Sequence, residues 1–331
     1  MTAMRLPNEW VVGVDLGGTN MQAIVVDPTN KIVGRKHART EPERGAVDVI
    51  DRLVETANDA CREAGTLLTE IGAVGIAAAG AIDIPNGVIL VAPNLHWENL
   101  PLLDRLREKT GRPVVLENDV NGAVWGEHHL GAGAGHGDVL GVWVGTGIGG
   151  GLILDGHIHH GAFFTAGEIG HTILTPNGEP GHRTVEDHCG RNGVIRALHE
   201  QLDSHHESRL HATANGDRGV IDMVTLAEAY AAGDALTQQV VHRAADLLGI
   251  AIANWVTVLA LDTVIVGGGM TEALGEPYLQ QIRRSFEATV FPARSRACRL
   301  VPTQLKGDAG PLGAALLARQ LVVGSTGEGT H

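Results

Sequence analysis

The sequence has few cysteines and no excess of basic residues. Its cysteines, Cys61, Cys189 and Cys298, are odd in number and far apart, so they cannot form a complete disulfide framework. A reducing, cytoplasmic location is therefore expected. The chain carries 25 Lys and Arg against 38 Asp and Glu, a net charge of −13. Nucleic acid is not expected as the main partner, because binding a phosphate backbone needs a concentrated basic face.

Long hydrophobic runs are also missing. The longest uncharged apolar run, residues 247–261, includes Asn254 and is shorter than the roughly 20 residues of a membrane-spanning helix. It is predicted to be a buried helix, and no membrane association is expected. The first residues show no basic segment followed by an apolar one, so no signal peptide is expected.

Glycine, in contrast, is abundant. It accounts for 45 of the 331 residues, about twice its usual share of roughly 7%. The glycines cluster at 17–18, 145–151 and 267–269, each beside an apolar run rich in β-branched residues. Such positions are typical of backbone that turns sharply or approaches a ligand closely. With roughly 100–200 residues per domain, the length predicts two domains.

One pattern occurs twice in the chain. An apolar strand at 11–16 leads through a glycine turn to a second strand at 21–26, and the pattern recurs with strands at 139–144 and 151–154. Two such halves predict a duplicated α/β chain with a cleft between its lobes.

The first glycine turn has the residues of an anion site: Asp15, Gly17, Gly18, Thr19 and Asn20. Glycines let backbone N–H groups converge on a phosphate, and the hydroxyl and amide add donors. The carboxylate could hold Mg²⁺ through water. From these residues alone, an ordinary β-hairpin is an equal alternative, and the lysine of the Walker pattern is absent.

The second turn repeats this arrangement with Thr146 and Gly147. Its G-x-G-x-x-G match precedes a strand rather than a helix, so a dinucleotide site is not expected. Gly268 follows a third apolar strand, where a nucleoside could lie against the backbone. A simple strand-to-helix turn is the alternative there.

Two further groups could act on a substrate hydroxyl. Asp119 lies between a predicted strand and a predicted helix, where a carboxylate could accept a proton; the alternative is a helix N-cap. Glu168 and His171 lie three residues apart beside glycines and could hydrogen-bond a polyol. A structural histidine is the alternative there.

Taken together, the motifs resemble the ROK family of sugar kinases (repressor, open reading frame, kinase). The similarity runs from residue 11 to about 317, nearly the whole chain. It rests on 15–20 as the first phosphate motif, 92–97 as the sugar loop, 117–121 as the catalytic motif and 140–171 as the family signature.

This resemblance implies a duplicated α/β fold of the actin-like, hexokinase type (ribonuclease H-like), with two lobes and an interdomain cleft. We expect a first lobe at 1–122, joined by a closing helix at 310–323, and a second lobe at 123–309. Residues 324–331 are expected to form a flexible tail. The family also implies a homodimer.

The resemblance further implies ATP with Mg²⁺, and phosphoryl transfer to the primary (6-) hydroxyl of a glucose-like hexose. Asp119 would be the general base. The implied sugar contacts are Asn94, Asn118, Glu168 and His171, with Gly80 at the other ring edge. The implied phosphate contacts are the residues of both glycine turns, and Gly268 would lie near the nucleoside.

The sequence departs from the family at three places. Of the histidine and three cysteines that bind zinc in the family, His171 and Cys189 remain, so loss of zinc is expected. Arg196 replaces a sugar-binding glutamate, and residues 77–80 differ from the usual Gly-x-Pro-Gly. An amino sugar such as kanosamine, or a C7-cyclitol, is therefore the alternative substrate, and polyphosphate the alternative donor. A non-catalytic sugar sensor or a repressor is the less favoured class.

Overall fold

The computed structural model describes residues 9–202, 204, 207–213 and 221–327, in which three β-sheets are flanked by helices. The strands are β1 (Val11–Leu16), β2 (Asn20–Val26), β3 (Ile32–Arg39), β4 (Ala73–Ala78), β5 (Ala81–Asp83), β6 (Val88–Ala92), β7 (Trp97–Leu100), β8 (Val114–Asn118), β9 (Val139–Val144), β10 (Ile148–Leu154), β11 (His157–Ile158), β12 (Thr263–Gly267) and β13 (Arg299–Pro302). The helices are α1 (Ala46–Glu63), α2 (Leu102–Thr110), α3 (Asp119–Leu130), α4 (Val185–Cys189), α5 (Arg191–Leu202), α6 (Leu210–Thr213), α7 (Met223–Ala231), α8 (Ala235–Leu259), α9 (Gly269–Thr289) and α10 (Ala309–Gly327).

Two of the sheets repeat one topology. The first has the order β3-β2-β1-β4-β8 and the second the order β11-β10-β9-β12-β13. In each, the first three strands along the chain pair antiparallel in succession, and the remaining two run parallel to the first one. The duplication predicted from the two glycine hairpins is therefore confirmed. Each sheet has its own large hydrophobic core.

The parallel strands are buried on both faces, as expected for strands covered by helices. Every residue of β4 is buried, and its sequence is a continuous small-apolar run. Helix α1 covers the first sheet with one apolar face that includes Val49, Ile50 and Leu53. It ends just before Gly65, whose φ of 74° suits a helix terminus.

A close pair of helices, α3 and α10, lies between the two sheets. A Cβ on Gly313 of α10 would lie 1.7 Å from the carbonyl oxygen of Gly122 in α3, so this crossing requires glycine. Helix α10 also packs on β1 at Gly13, and α3 packs on β9 at Gly141. The expected boundary between residues 122 and 123 thus falls inside α3, a helix that contacts both sheets.

The remaining strands, β5 to β7, form a small antiparallel sheet between β4 and α2 in the chain. The closing helix continues to Gly327, four residues past the expected end at 323, and residues 328–331 of the expected tail lie outside the described residues. No helix in the described ranges is both long and apolar enough to span a bilayer.

Candidate active site

Asn118 and Asp119 lie where β8 ends and α3 begins. The Asn118 side chain is the N-cap: its Oδ1 accepts hydrogen bonds from the N–H of Val120 (2.9 Å) and of Asn121 (3.1 Å). Its Nδ2 donates to the Gly80 carbonyl (3.1 Å). The alternative interpretation of Asp119 as the N-cap is therefore wrong, because Asn118 caps the helix.

The Asp119 carboxylate is bonded to the backbone at the start of α3. Its Oδ1 accepts from the N–H of Val120 at 2.9 Å. Burial raises the pKa of Asp119, and the negative charge of Glu168 raises it further. A raised pKa makes a carboxylate a better proton acceptor, provided that it is ionised at the working pH. This is the property that a general base needs.

Asp15, at the end of β1, is the second acidic group in this region. Burial and the charge of Asp119 raise its pKa from 3.8 to about 7. Within the described part of the chain, neither carboxylate forms an ion pair with Lys, Arg or His. The first turn of α10 passes close by, since a Cβ on Gly310 would lie 2.9 Å from Asp15 Oδ2. Two coupled carboxylates without a countercharge fit a hard divalent cation such as Mg²⁺.

The first glycine turn packs against the predicted sugar loop. The N–H of Gly17 donates to the Asn20 carbonyl (3.1 Å), closing the hairpin. A Cβ on Gly18 would lie 2.6 Å from the Cβ of Asn94, so only glycine allows this approach. Thr19 is exposed. The structure thus brings Asn94 next to the first phosphate motif.

The second glycine turn is braced by the helices that follow it. The N–H of Arg191 donates to the Gly145 carbonyl (3.0 Å), and its Nη2 donates to Thr146 Oγ1 (2.8 Å). A Cβ on Gly147 would lie 2.0 Å from Glu186 Oε2. A Cβ on Gly145 would meet nothing within 4 Å, which leaves that backbone open to a ligand.

Glu168 and His171 lie in the segment between β11 and α4. Their side chains are 49% and 69% exposed, and Glu168 Oε2 lies 3.9 Å from His171 Nε2. Two glycines seat the segment on β10: a Cβ on Gly170 would lie 2.2 Å from the Ile148 carbonyl, and Gly167 has a φ of 96°. His171 is therefore not a buried structural histidine, and both side chains are accessible to a polyol.

Gly268 joins β12 to α9 with a φ of 90°. A Cβ there would lie 2.5 Å from the Val144 carbonyl at the end of β9. A crevice of about 180 Å³ opens along α9 beyond this turn, with Glu272, Thr303 and Lys306 among its walls. It lies at the carboxyl ends of β12 and β13, the usual ligand edge of such a sheet.

The ROK family model matches residues 11–321. The chain belongs to the ROK family.

Relatives of this ROK chain cover it almost completely. A glucokinase from Thermotoga maritima is 33% identical over 330 residues, covering 96% of this chain and 100% of that protein. A glucokinase from Halalkalibacterium halodurans is 32% identical over 320 residues, covering 95% and 96%. A crystal structure of a ROK family glucokinase from Streptomyces griseus in complex with glucose and AMPPNP has a TM-score of 0.81 and 33% identity, covering 94% of this chain and 99% of that one. The expected two-lobed sugar-kinase fold is confirmed.

The zinc site that the ROK resemblance implies does not fit the residues of this chain. Among the residues that the structure describes, no three His, Cys, Asp or Glu side chains converge as a metal site. Cys189 is fully buried and its pKa is raised by burial, whereas His171 is exposed. Hydrogen bonds hold this segment instead: His188 Nε2 lies 2.9 Å from Thr175 Oγ1, and Arg196 Nη2 donates to the Asp187 carbonyl (2.6 Å).

Sequence analysis did not single out two residues that lie beside the site. Arg191 places a cation on the second glycine turn, and His160 forms an ion pair with Glu117, two residues before Asp119. Arg191 lies in the segment that was considered only for its zinc motif, directly after Cys189 and Gly190. A search for cations near the phosphate turns would have singled it out.

Proposed function

We propose that this protein is an ATP-dependent sugar kinase that transfers the γ-phosphoryl group to the 6-hydroxyl of glucose or a glucose-like hexose. The observation that carries the proposal is the Asp119 carboxylate, with its raised pKa, at the start of a helix that packs against both sheets. The glucokinase relatives support the reaction, and the glucose and AMPPNP bound by the Streptomyces griseus enzyme support the substrates.

In this mechanism Asp119 accepts the proton of the 6-hydroxyl. The hydroxyl oxygen forms a bond to the γ-phosphorus as the bond to the β–γ bridging oxygen breaks, and ADP leaves. Asn94, Glu168 and His171 hold the sugar hydroxyls, while the Asn118 cap holds the catalytic turn in place. Positioning and charge stabilisation provide most of the acceleration in such transfers.

The two glycine turns bind the phosphates from opposite sides of the cleft. The backbone of Gly18 and Gly147 donates N–H groups, while the N–H of Gly17 closes the first turn, and the hydroxyls of Thr19 and Thr146 add donors. Asn20 completes the first turn with its side-chain amide. Mg²⁺ held by Asp15 through water would neutralise phosphate charge.

The nucleoside is assigned to the far side of the second lobe. The positive φ of Gly268 and its closeness to Val144 let the backbone approach a planar group. The crevice beyond α9 has both apolar and hydrogen-bonding walls, as a nucleoside requires. ATP, rather than polyphosphate, is the proposed donor because polyphosphate has no nucleoside that would occupy this crevice.

Glucose is favoured over kanosamine and over a C7-cyclitol. The substitution that raised those alternatives, Arg196, is engaged within its own segment, because it donates to the Asp187 carbonyl and lies 3.8 Å from Glu200. The glucokinase relatives point the same way. We also propose a cytoplasmic location, from the few and widely spaced cysteines, and a homodimer, from the family resemblance. Sedimentation of the purified protein tests the homodimer.

The decisive test is Asp119→Asn, which keeps the size of the side chain and removes the base. We expect kcat for ATP and glucose to fall by about 10³-fold, because a positioned general base contributes about 10²- to 10⁴-fold. Glucose binding, measured by calorimetry, should persist. Asp104→Asn, an exposed carboxylate on α2, is the matched control. A folded Asp119→Asn protein with near-normal turnover would refute this assignment.

A further inference from the structure

An ion pair links β8, the strand that leads to Asp119, to the start of the segment that carries Glu168 and His171, here called the sugar-binding segment. His160 Nε2 lies 2.7 Å from Glu117 Oε2. Glu117 is in β8 of the first sheet, whereas His160 follows β11 of the second sheet. The Glu117 side chain is only 4% exposed, and that of His160 is 27% exposed. The contact therefore joins the two halves of the molecule where little water reaches it.

Glu117 uses its other oxygen to hold the catalytic turn. Its Oε1 accepts from the backbone N–H of Asn118 (2.9 Å) and from Asn121 Nδ2 (3.0 Å). These two partners flank Asp119 in the chain. The orientation of the Glu117 carboxylate consequently sets the orientation of the turn that carries the proposed base.

His160 also lies at the base of the segment that carries Glu168. Its carbonyl accepts from the N–H of Ala166 (3.0 Å), which closes the loop between them. Its ring lies 6.3 Å, centroid to centroid, from that of Phe164. Displacing the imidazole would thus disturb the start of the sugar-binding segment as well as Glu117.

We propose that His160 is a positioning residue: through Glu117 it holds the Asp119 turn in register with the Glu168–His171 segment. This inference rests on the proposed kinase function, because it concerns the alignment of the base with the sugar. His160 need not touch the substrate for this role.

A buried carboxylate is costly unless it is paired, which is why the charge of His160 matters. Its hydrogen bond with Glu117 raises the pKa of His160. The other titratable groups of the adjoining segments include Asp119, Glu168, His171 and the neighbouring His159. Among the described residues, Glu117 is the one group that forms an ion pair with His160. The ion pair requires a protonated His160 ring and is lost as the pH rises through the raised pKa of His160.

The experiment compares His160→Gln and His160→Arg with the wild-type enzyme across pH. We expect His160→Gln to lower kcat by about 10- to 100-fold, the effect of a misplacement of about 1 Å at a reacting group. His160→Arg, which keeps the positive charge, should recover most of kcat and lack the alkaline fall of the wild type. His159→Gln, one residue earlier, is the matched control.

A second readout does not depend on activity. Titration of the His160 ring by NMR should give a pKa above that of a free histidine, and Glu117→Gln should return it to the ordinary range. A normal pKa in the wild type would overturn the inference even if no sugar is turned over. A folded His160→Gln protein with wild-type kcat and pH profile would also overturn it, whereas inactivity of the wild type on every sugar would count against the proposed function.

Discussion

The two glycine hairpins have the same antiparallel strand arrangement but different chemistry. When β1 and β9 are aligned from their first residues, Gly13 matches Gly141, and each glycine admits a helix, α10 in the first lobe and α3 in the second. Asp15 of the first hairpin matches Trp143 of the second. The second hairpin has instead a threonine hydroxyl bound to Arg191. The repeated part of the chain is the scaffold, and the side chains at the ends of the hairpins have diverged.

The two hairpins therefore carry side chains of opposite charge, Asp15 at the first and Arg191 at the second. The first side has a carboxylate whose pKa is raised to about 7, suited to a hydrated cation. The second side has a guanidinium, suited to a phosphate oxygen. Under the proposed function, a nucleoside triphosphate with its metal ion needs both, so neither hairpin could replace the other.

The largest effect is expected on the acidic side. Asp15→Asn should lower kcat by about 10³-fold, the order seen when a fixed electrostatic group is removed from a transition state. The measurement is ADP release at saturating ATP and glucose, with Mg²⁺ varied. Trp143→Phe at the matching position should change kcat little. Equal losses at both positions would break the comparison.

On the second side, Arg191→Gln should lower kcat by about 10²-fold, because a charge-assisted donor near the phosphates is lost. Added guanidinium ion at millimolar concentration should restore part of the rate to Arg191→Ala. Arg105, on the surface of α2, provides the control substitution. Full activity of folded Arg191→Gln would show that the second hairpin needs no positive charge and acts through hydrogen bonds alone.

The helix contacts at Gly13 and Gly141 should differ in how much stability the protein loses when a methyl group is added there. An added Cβ at Gly13 would lie 1.9 Å from the Pro311 carbonyl, whereas one at Gly141 would lie 2.0 Å from the Val124 Cγ2. A side-chain methyl can move and a helix backbone cannot, so Gly13→Ala should cost about 3 kcal/mol and Gly141→Ala about 1 kcal/mol. Urea denaturation measures both, with Gly137→Ala as control, since its Cβ would meet nothing within 4 Å. The reverse order would contradict this account.

The smallest effect concerns stability and pH. The folded-state pKa of Asp15 is raised from 3.8 to about 7, so the folded protein binds its proton more tightly than the unfolded chain. Ionisation therefore lowers stability progressively as the pH rises from about 4 to 7. In Mg²⁺-free buffer, Asp15→Asn should raise Tm at pH 8 and have little effect at pH 4. A Tm gain that is independent of pH would show that Asp15 does not titrate in this way.

Local patterns in the sequence predicted much of the fold. The apolar runs of β1, β4 and β9 and the apolar face of α1 lie where the periodicity placed them. Strand β3 and the β5–β7 sheet were not predicted. β3 mixes apolar with basic residues, and β5–β7 are short and interrupted by turns, so neither has a clear period.

The candidate site was predicted in part, for a related reason. Asp15, Asp119 and Glu168 stand beside glycine turns or at a strand end, which are local signals, and the electrostatic coupling of Asp15 with Asp119 and of Asp119 with Glu168 agrees with one site. The alternative role considered for Asp119 was that of helix N-cap, which the structure gives to Asn118. Sequence could not separate the two, because neighbouring Asn and Asp are equally good caps. Glu117 and His160 are 43 residues apart, and nothing local relates them.

The sequence alone determined the duplication, the glycine turns and the acidic residues at the strand ends, because each depends on neighbours within one or two turns of chain. Tertiary structure alone decided which of these residues meet. The crossing of α3 and α10, the arginine on the second hairpin and the His160–Glu117 ion pair depend on how two sheets pack around shared helices. Such contacts form between residues far apart in the chain, where burial and close packing, rather than local preference, select the partner.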